Sequence, residues 1–203
     1  MTVIEKLKDV ESTKGTNNKF NKVISYLDDQ DFVCVLKFLL DKGKTSGIKA
    51  AKLSRTVNPV IYPCNILDSF KSYLDYITVN NNGSDTNVYI TQAFCNSTSD
   101  RVYAGKIVTK TLKLGIGLKK LKTLQEFSDI LTCQAQLAEL FYDYPSHPVG
   151  KDIILTEKLD GNRCMSIVDD SCVMLSRENK VISGFDSIES ELLANFKGYA
   201  LVS

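Results

Sequence analysis

A chain of 203 residues, 43% of them hydrophobic, is long enough for one or two domains with a real core, and its 25 Lys and Arg nearly balance its 24 Asp and Glu. It has no apolar run of about 18 residues and carries charge throughout residues 1–30, which argues against a membrane span or a signal peptide and predicts a cytoplasmic protein with no membrane partner. The six cysteines form no Cys-x-x-Cys pair and the one histidine is His147, so a zinc site is not expected and the thiols read as reduced, mostly buried apolar groups.

Val3, Ile4, Leu7 and Val10 recur at helical spacing, Phe20, Val23, Ile24 and Leu27 do so again, and Phe32 to Leu40 is apolar nearly all round. These patterns predict three helices, the third closed by Gly43 as its C-terminal cap. Residues 44–63 contain Gly47, Pro59 and Pro63 and no clean period, so they read as a loop with at most one short helix. Leu67, Phe70, Leu74 and Ile77 predict a further helix, stopped by Asn80-Asn81-Asn82-Gly83. Ser84 is placed to cap the next, with Val88, Ala93 and Phe94 inward, and Ser99 to cap one carrying Val102, Tyr103, Ile107 and Val108. Nothing up to about residue 130 suggests a catalytic site.

The net charge of +1 conceals a segregated distribution. Lys42 to Leu67 holds five basic residues (Lys42, Lys44, Lys49, Lys52, Arg55) and Arg101 to Gln125 seven (Arg101, Lys106, Lys110, Lys113, Lys119, Lys120, Lys122), with no acidic residue in either stretch. A solvated helix face mixes signs, so this pattern points to a polyanion, with nucleic acid the leading class. Within the second stretch, Leu114-Gly115-Ile116-Gly117 leads into a basic helix. Backbone amides and the dipole at such a helix start can take a phosphate, while the lysines add sequence-independent charge. Gly115, Gly117, Lys119, Lys120 and Lys122 are therefore candidate DNA-binding residues. A tight turn between helices is the plain alternative, and a helix-hairpin-helix another.

A boundary near residue 130 separates this region from 131–203. In the loop from Tyr144 to Gly150, His147 reads as a solvated residue rather than an acid or base. The apolar Ile153-Ile154-Leu155 then leads, as a strand, into Thr156-Glu157-Lys158-Leu159-Asp160-Gly161-Asn162-Arg163, and Arg163 to Val168 reads as a second strand. A free lysine, with a pKa of about 10.4, is neutral in only about one molecule in a thousand near pH 7.4, a penalty of about 4 kcal/mol. Setting Lys158 between apolar strands, with Arg163 close in sequence, offers desolvation and a neighbouring cation, the two influences that make an amine nucleophilic. Asp160 is placed to orient the amine or a substrate hydroxyl, and Gly161 to turn the chain tightly against a ligand. An ordinary hairpin corner with a solvated Lys/Asp pair is the plain alternative. Cys172 to Arg177 reads as the next strand, joined by a turn at Asp169-Asp170-Ser171 whose aspartates are turn chemistry rather than a metal pair. Lys180 to Ser183 suggests a third strand. Asp186 and Glu189 suggest a capping box for a helix burying Ile188, Leu192, Leu193 and Phe196, and Tyr199 to Val202 begins another strand.

Lys158-Leu159-Asp160-Gly161-Asn162-Arg163, followed by Ser176-Arg177-Glu178-Asn179-Lys180, closely resembles the nucleotidyltransferase signature of ATP-dependent DNA ligases, Lys-x-Asp-Gly-x-Arg followed by Ser-Arg-x-Gly. Glu178-Asn179-Lys180 stands where that family often has Asn-Gly-Lys, and Asn tolerates the left-handed conformation better than other non-glycine residues. Leu112-Lys113-Leu114-Gly115-Ile116-Gly117 resembles the segment closing the helical DNA-binding domain of these enzymes, mostly of the bacteriophage type. Leu137-Ala138 resembles the segment opening their catalytic domain. The resemblance implies an α+β chain, with an all-α helical DNA-binding domain over 1–130. Over 131–203 it implies the first strands and helix of an incomplete nucleotidyltransferase domain built on an ATP-grasp-like antiparallel sheet. It implies that Lys158 takes an adenylyl group from ATP and passes it to a 5′-phosphate, from which a 3′-hydroxyl displaces AMP to seal a nick in double-stranded DNA. Asp160 would position the reacting groups, backbone around Thr156 and Glu157 would meet the adenine with Gly161 also at the nucleotide, and Arg163 and Arg177 would clamp ribose and phosphates.

The family also uses Mg2+, held by a glutamate in an Asp-Gly-Glu-Leu type motif that follows a strand like Tyr199–Val202. That motif and the later lysines are not among these 203 residues, so no metal ligand is expected in this chain. The expectation is a ligase front part, of a bacterial or phage-infected cell, that needs a complementary C-terminal fragment to seal nicks. RNA ligases and other lysyl-nucleotidyltransferases share the lysine and stay open as alternatives, as does a non-catalytic DNA-binding module keeping the motif as a remnant.

Overall fold

Helix α1 (Val3–Ser12) begins where Thr2 closes a capping box: the Glu5 N–H donates to Thr2 Oγ1 and the Thr2 N–H to the Glu5 carboxylate, at 3.3 and 2.7 Å. Its spaced Ile4, Leu7 and Val10 are all buried. Helix α2 (Thr16–Ile24) follows Gly15, which takes a φ of +85°. Helix α3 (Gln30–Leu40) is capped by Asp29, whose carboxylate accepts from the Asp31 and Phe32 N–H groups. It ends at an extended Asp41, and the left-handed glycine cap expected at Gly43 does not form. The Gly43 N–H instead donates to Asp41 Oδ1 at 2.8 Å, so a side-chain turn ends the helix.

The structure is a computed structural model that describes residues 1–130, 161, 163–177, 180–196 and 199–202, the side chains of Cys64 and Tyr199–Val202 excepted. The chain divides into two compact units, Met1–Leu131 and Thr132–Ser203. Among the described residues no helix is long and apolar enough to cross a membrane.

In the first unit, α4 (Ala50–Leu53) is a single turn within the irregular 44–63 segment. A 3-10 turn over Cys64–Leu67 takes Leu67 out of the following helix, α5 (Phe70–Val79), which starts at a Ser69 cap. Helix α6 (Asp85–Ser97) is capped by Ser84, and its inner face carries Val88, Ile90, Phe94 and Cys95 with the buried polar Asn87 and Thr91, while Ala93 is half-buried. Helix α7 (Arg101–Val108) is capped by Asp100, not by Ser99, because the Asp100 carboxylate reaches the Tyr103 N–H at 3.0 Å. With that start, Tyr103, Ala104, Ile107 and Val108 turn inward and Val102, expected in the core, stands 71% exposed. Aromatic packing joins α5 to α6: Phe94 stacks on Tyr73 at 4.1 Å and meets Phe70 edge-on at 5.0 Å. The Tyr73 hydroxyl finds Thr91 Oγ1 at 2.8 Å, and burial raises its pKa far above the usual phenol value.

In the second unit, β1 (Cys164–Val168) is the central strand, antiparallel to both β2 (Cys172–Ser176) and β3 (Tyr199–Val202) in the order β2-β1-β3. The strand expected at Lys180–Ser183 is reduced to one bridge, Leu175 to Val181, because the chain stays hydrogen-bonded to β2 only through Ser176 and Met174. Helix α9 (Asp186–Asn195) packs on β2. Its expected capping box does not form: Phe185 is the cap position, and Asp186 already lies inside the helix. Its expected buried side is only partly covered, with Leu192 and Leu193 half-buried and Ile188 and Phe196 exposed at 43% and 41%. A helical unit followed by an antiparallel sheet with one helix makes the chain α+β. The described free thiols are less buried than expected, with Cys95 buried and Cys34, Cys164 and Cys172 intermediate.

Candidate nucleic-acid interface and the paired arginines

The two basic stretches, distant in sequence, are folded against one another. Helix α4 packs on α6 and α7, and a glycine at position 105 allows the close approach, since a Cβ there would sit 3.2 Å from Leu53 Cδ2. Around α4 the backbone has no ladder partner, so side chains supply its hydrogen bonds. The buried Ser46 hydroxyl donates to the Val108 carbonyl at 2.7 Å and accepts from the Ile48 N–H. Gln92 Nε2 donates to the carbonyls of Leu53 and Arg55, at 2.9 and 2.7 Å. The Lys52 ammonium reaches the Gly83 carbonyl at 3.1 Å, and the Lys110 ammonium bonds the carbonyls of Asp41 and Lys44. Gly47, with a φ of +69°, lies so close to the Asn80–Gly83 turn that a Cβ would be 2.2 Å from the Asn81 carbonyl oxygen.

Charge pairing differs between this region and the rest of the helical unit. Lys6, Lys8, Lys22, Lys37 and Lys71 each meet an aspartate (Asp29, Asp100, Asp9, Asp129 and Asp75) at 2.6 to 2.8 Å. The lysine hydrogen bonds hold the carboxyls of Asp9, Asp100 and Asp129 below their ordinary value. Within the basic stretches Arg55 meets Asp85 at 3.4 Å. Lys42, Lys44, Lys49, Arg101, Lys106, Lys113 and Lys119 are exposed and form no ion pair among the described residues. An exposed set of uncompensated cations is what a polyanion surface requires.

The Leu112–Gly117 segment is irregular, with buried Leu112, Leu114 and Ile116 alternating with exposed Lys113, Gly115 and Gly117. Gly115 has a φ of +70°, and Lys19 donates to the Leu114 carbonyl at 2.6 Å. The basic helix expected after the glycines is one turn, α8 (Leu118–Leu121), starting at Gly117 without a side-chain cap. A helix that short has little dipole, so the expected phosphate site at its start loses its main support. Lys120 turns back onto α2, bonding the Asn17 side chain and lying 5.3 Å from the Phe20 ring centre. Lys122 is half-buried, and Lys119 stays exposed.

In the second unit the pairing of Cys164 with Ser176 sets Arg163 and Arg177, one residue further along on each side, at the same end of the β1–β2 ladder, opposite the Asp169–Ser171 turn. Both are exposed. Gly161 is exposed, and a Cβ there would meet nothing within 4 Å. Thr156, Glu157, Lys158 and Asp160, with His147 and Leu137-Ala138, lie outside the described residues. Among those described, no three His, Cys, Asp or Glu gather as metal ligands.

What sequence reasoning missed is the tying of the 44–63 segment by Ser46, Gly47, Gln92 and Gly105. None of these sits in a local pattern, because each acts on residues far away in the chain.

The fold and site together define a chain with a helical unit whose two basic stretches meet where α4 packs on α7, and a sheet unit with two exposed arginines at one end of the β1–β2 ladder. No protein-family model matches it, and no curated protein matches it. It is similar to the solved structure named Pmar-Lig_Pre., at 19% identity and a TM-score of 0.59, and to that named Pmar-Lig_PreS3, at 18% identity and 0.58. Each similarity covers 100% of this chain and 49% of the other, so the chain spans about half the length of the solved structures it matches. At such identities the likeness is one of fold.

Proposed function

We propose that this chain is the front part of an ATP-dependent DNA ligase, a helical unit that grips nicked duplex DNA followed by the start of a unit that adenylylates Lys158. The observation that carries the reading is the uncompensated basic face, assembled from two acid-free stretches that the fold sets side by side. The ligase-named fold neighbours and the Lys158-x-Asp160-Gly161-x-Arg163 signature agree with it.

On this reading the neutral Lys158 amine gives its lone pair to the α-phosphorus of ATP. The N–P bond forms as the bond to the bridging oxygen breaks, and pyrophosphate leaves with that electron pair. Arg163 and Arg177, neighbours across the end of the ladder, suit a polyphosphate and donate to oxygens gaining charge. Asp160 orients the amine. A DNA 5′-phosphate oxygen next displaces the lysine from the adenylyl phosphorus, and a 3′-hydroxyl oxygen then attacks the activated 5′-phosphate and releases AMP. Magnesium, which the resemblance implies, finds no set of ligands among the described residues.

The test is intact-mass spectrometry after incubation with ATP and magnesium, on the chain alone and together with any protein sequence encoded downstream of Ser203. The expected result is the gain of one adenylyl group, abolished in Lys158→Ala, while both proteins bind nicked duplex alike. Binding without adenylylation in either preparation overturns the enzyme reading and leaves a DNA-binding module. Absence of duplex binding overturns both.

A further inference from the structure

The turn Asn80-Asn81-Asn82-Gly83 joins α5 to α6 and holds the chain's single Asn-Gly step. Glycine has no Cβ to shield its nitrogen, so the Gly83 amide can close on the side-chain carbon of Asn82. The fold prepares this pair in two ways. Asn82 Oδ1 accepts from the Ser84 N–H at 3.1 Å and from Asn87 Nδ2 at 3.0 Å. Asn82 is exposed, and neither its amide nitrogen nor the Gly83 N–H donates to any group among the described residues. Asn87 is 3% exposed and takes the Tyr76 hydroxyl on its Oδ1 at 3.1 Å, which directs its Nδ2 to the carbonyls of Asn80 and Asn82 and to Asn82 Oδ1. Two held donors thus aim at the oxygen on which charge develops when Gly83 attacks, the arrangement of an oxyanion hole, while the attacking and leaving nitrogens stay uncommitted.

We propose that Asn82 is a self-modification site, at which the folded chain converts the amide to a carboxylate through a succinimide. The Gly83 nitrogen gives its proton to hydroxide and bonds to Asn82 Cγ, whose carbonyl electron pair moves onto Oδ1 between the two donors. As that pair returns, the bond to Nδ2 breaks, and the nitrogen takes a proton from water and leaves as ammonia. A second water opens the ring. Attack at Cγ restores the ordinary backbone with aspartate at position 82. Attack at the main-chain carbonyl carbon leaves the chain running through Cβ and Cγ, an isoaspartyl link that is longer by a methylene. The net change takes up water and releases ammonia, and needs no other reactant.

The two products differ in what they do to the fold. A carboxylate keeps both acceptor roles and lies beside the start of α6, where negative charge is favourable. The longer link moves the Gly83 carbonyl from Lys52 Nζ, now 3.1 Å away, and disturbs the close seat of Gly47 on the Asn81 carbonyl. It therefore loosens the turn that fastens the 44–63 segment. The inference is independent of the DNA-binding reading above.

The experiment ages the folded chain at mildly alkaline pH beside a synthetic peptide of residues 79–86 and follows, by peptide mapping and mass spectrometry, the exchange of NH2 for OH at position 82. The expected rate in the folded chain exceeds that in the peptide by about tenfold, a fraction of what an enzyme's oxyanion hole supplies, and Asn80 and Asn81 stay intact. Asn82→Gln, which would have to close a larger ring, should abolish the exchange. Tyr76→Phe frees the half-buried Asn87 amide to turn and should bring the folded rate down to that of the peptide. Urea unfolding of the separated products should show a lowered midpoint for the isoaspartyl chain alone, with Asn82→Asp unfolding like the unaltered chain. A folded chain whose Asn82 reacts no faster than the peptide overturns the proposal. A rate unmoved by Tyr76→Phe overturns the part given to Asn87, and an isoaspartyl chain with an unchanged midpoint overturns the loosening of the turn.

Discussion

Replacing Lys49, Arg101 and Lys106 together by alanine tests whether the uncompensated cations meet phosphates. All are exposed and form no ion pair among the described residues, so their removal leaves the core and the carboxylate pairs intact. Each phosphate contact adds about 0.9 to the slope of log affinity against log salt, so losing three lowers the slope by about 2.7. Between about 50 and 200 mM salt, a fourfold change, that amounts to a loss of affinity about fortyfold smaller in the variant than in the unaltered chain. The assay is anisotropy titration of a labelled nicked duplex at several salt concentrations, with circular dichroism to check folding. A matched control removes Lys8, Lys37 and Lys71, the same change in net charge, from residues that each already face an aspartate at 2.7 or 2.8 Å. Screening over about 8–10 Å confines the effect of those charges, and the control slope should shift by less than about one. Equal slopes in the two triple variants would mean that net charge alone governs binding, and the assignment of this face would fall.

Gly47→Ala should destabilise the helical unit by more than about 2 kcal/mol in urea, from a left-handed φ that costs about 1–2 kcal/mol in a residue with a Cβ plus a clash at 2.2 Å with the Asn81 carbonyl; an unchanged midpoint would refute the tight contact. Gly117→Ala, where a Cβ meets nothing within 4 Å, should leave the midpoint within about 0.5 kcal/mol. Leu121→Ala should cost about 2–5 kcal/mol in the same assay, because Leu121 is 0% exposed, and a loss below about 1 kcal/mol would place it outside the core. Burial pushes the Asp29 carboxyl up, but the Lys6 hydrogen bond and the Phe32 and Asp31 N–H groups hold it below its ordinary value. Its contribution is thus present above the unfolded value of about 3.9 and fades as pH falls through the lower folded value. Asp29→Asn keeps the helix cap and should cost about 1 kcal/mol near neutral pH, a deficit that shrinks below about pH 4, whereas Asp29→Ala also loses the cap and should cost about 1 kcal/mol more throughout. Thermal or urea unfolding across that range checks both, and a deficit that grows on acidification would reverse the assigned sign.

The helices with a clear apolar period were legible in the sequence: the spacing from Val3 to Val10 gives α1, and Ser84 caps α6 where its apolar spacing begins, while the Thr2–Glu5 box at α1 emerged only in the structure. Legibility failed at the start of α7. There the expected cap is Ser99, whereas the Asp100 carboxylate takes the Tyr103 N–H, and Val102, expected with Tyr103, Ile107 and Val108, stands exposed. It failed again at α9, where a good apolar stripe does not reveal that one strand is its described packing partner. The basic composition of the proposed interface could be read directly. Its assembly could not, since it depends on a serine bonding a carbonyl 62 residues away and on a glycine admitting Leu53. The proposed nucleotide site stands differently. The placement of Arg163 and Arg177 at one end of the β1–β2 ladder follows from a hairpin legible in sequence, while Lys158 lies outside the described residues.

The basic face also separates two uses of positive charge that a count of lysines merges. Lys110 commits its ammonium to two carbonyls of the 41–44 segment, and Lys52 to the carbonyl of Gly83, so each stands in for the ladder partner that an irregular backbone lacks. Gln92 does the same for Leu53 and Arg55 without charge. The loop that carries Lys49 is therefore ordered before any phosphate arrives, which removes part of the entropy that ordering it on binding would otherwise cost. Cations held this way contribute little to ion release, and those that do are the outward ones. With seven exposed basic residues in the two stretches outside any ion pair among the described residues and, unlike Lys52, not bonded to a carbonyl, the salt slope these stretches can supply is bounded at about 6, against about 11 if all twelve of their basic residues met phosphates.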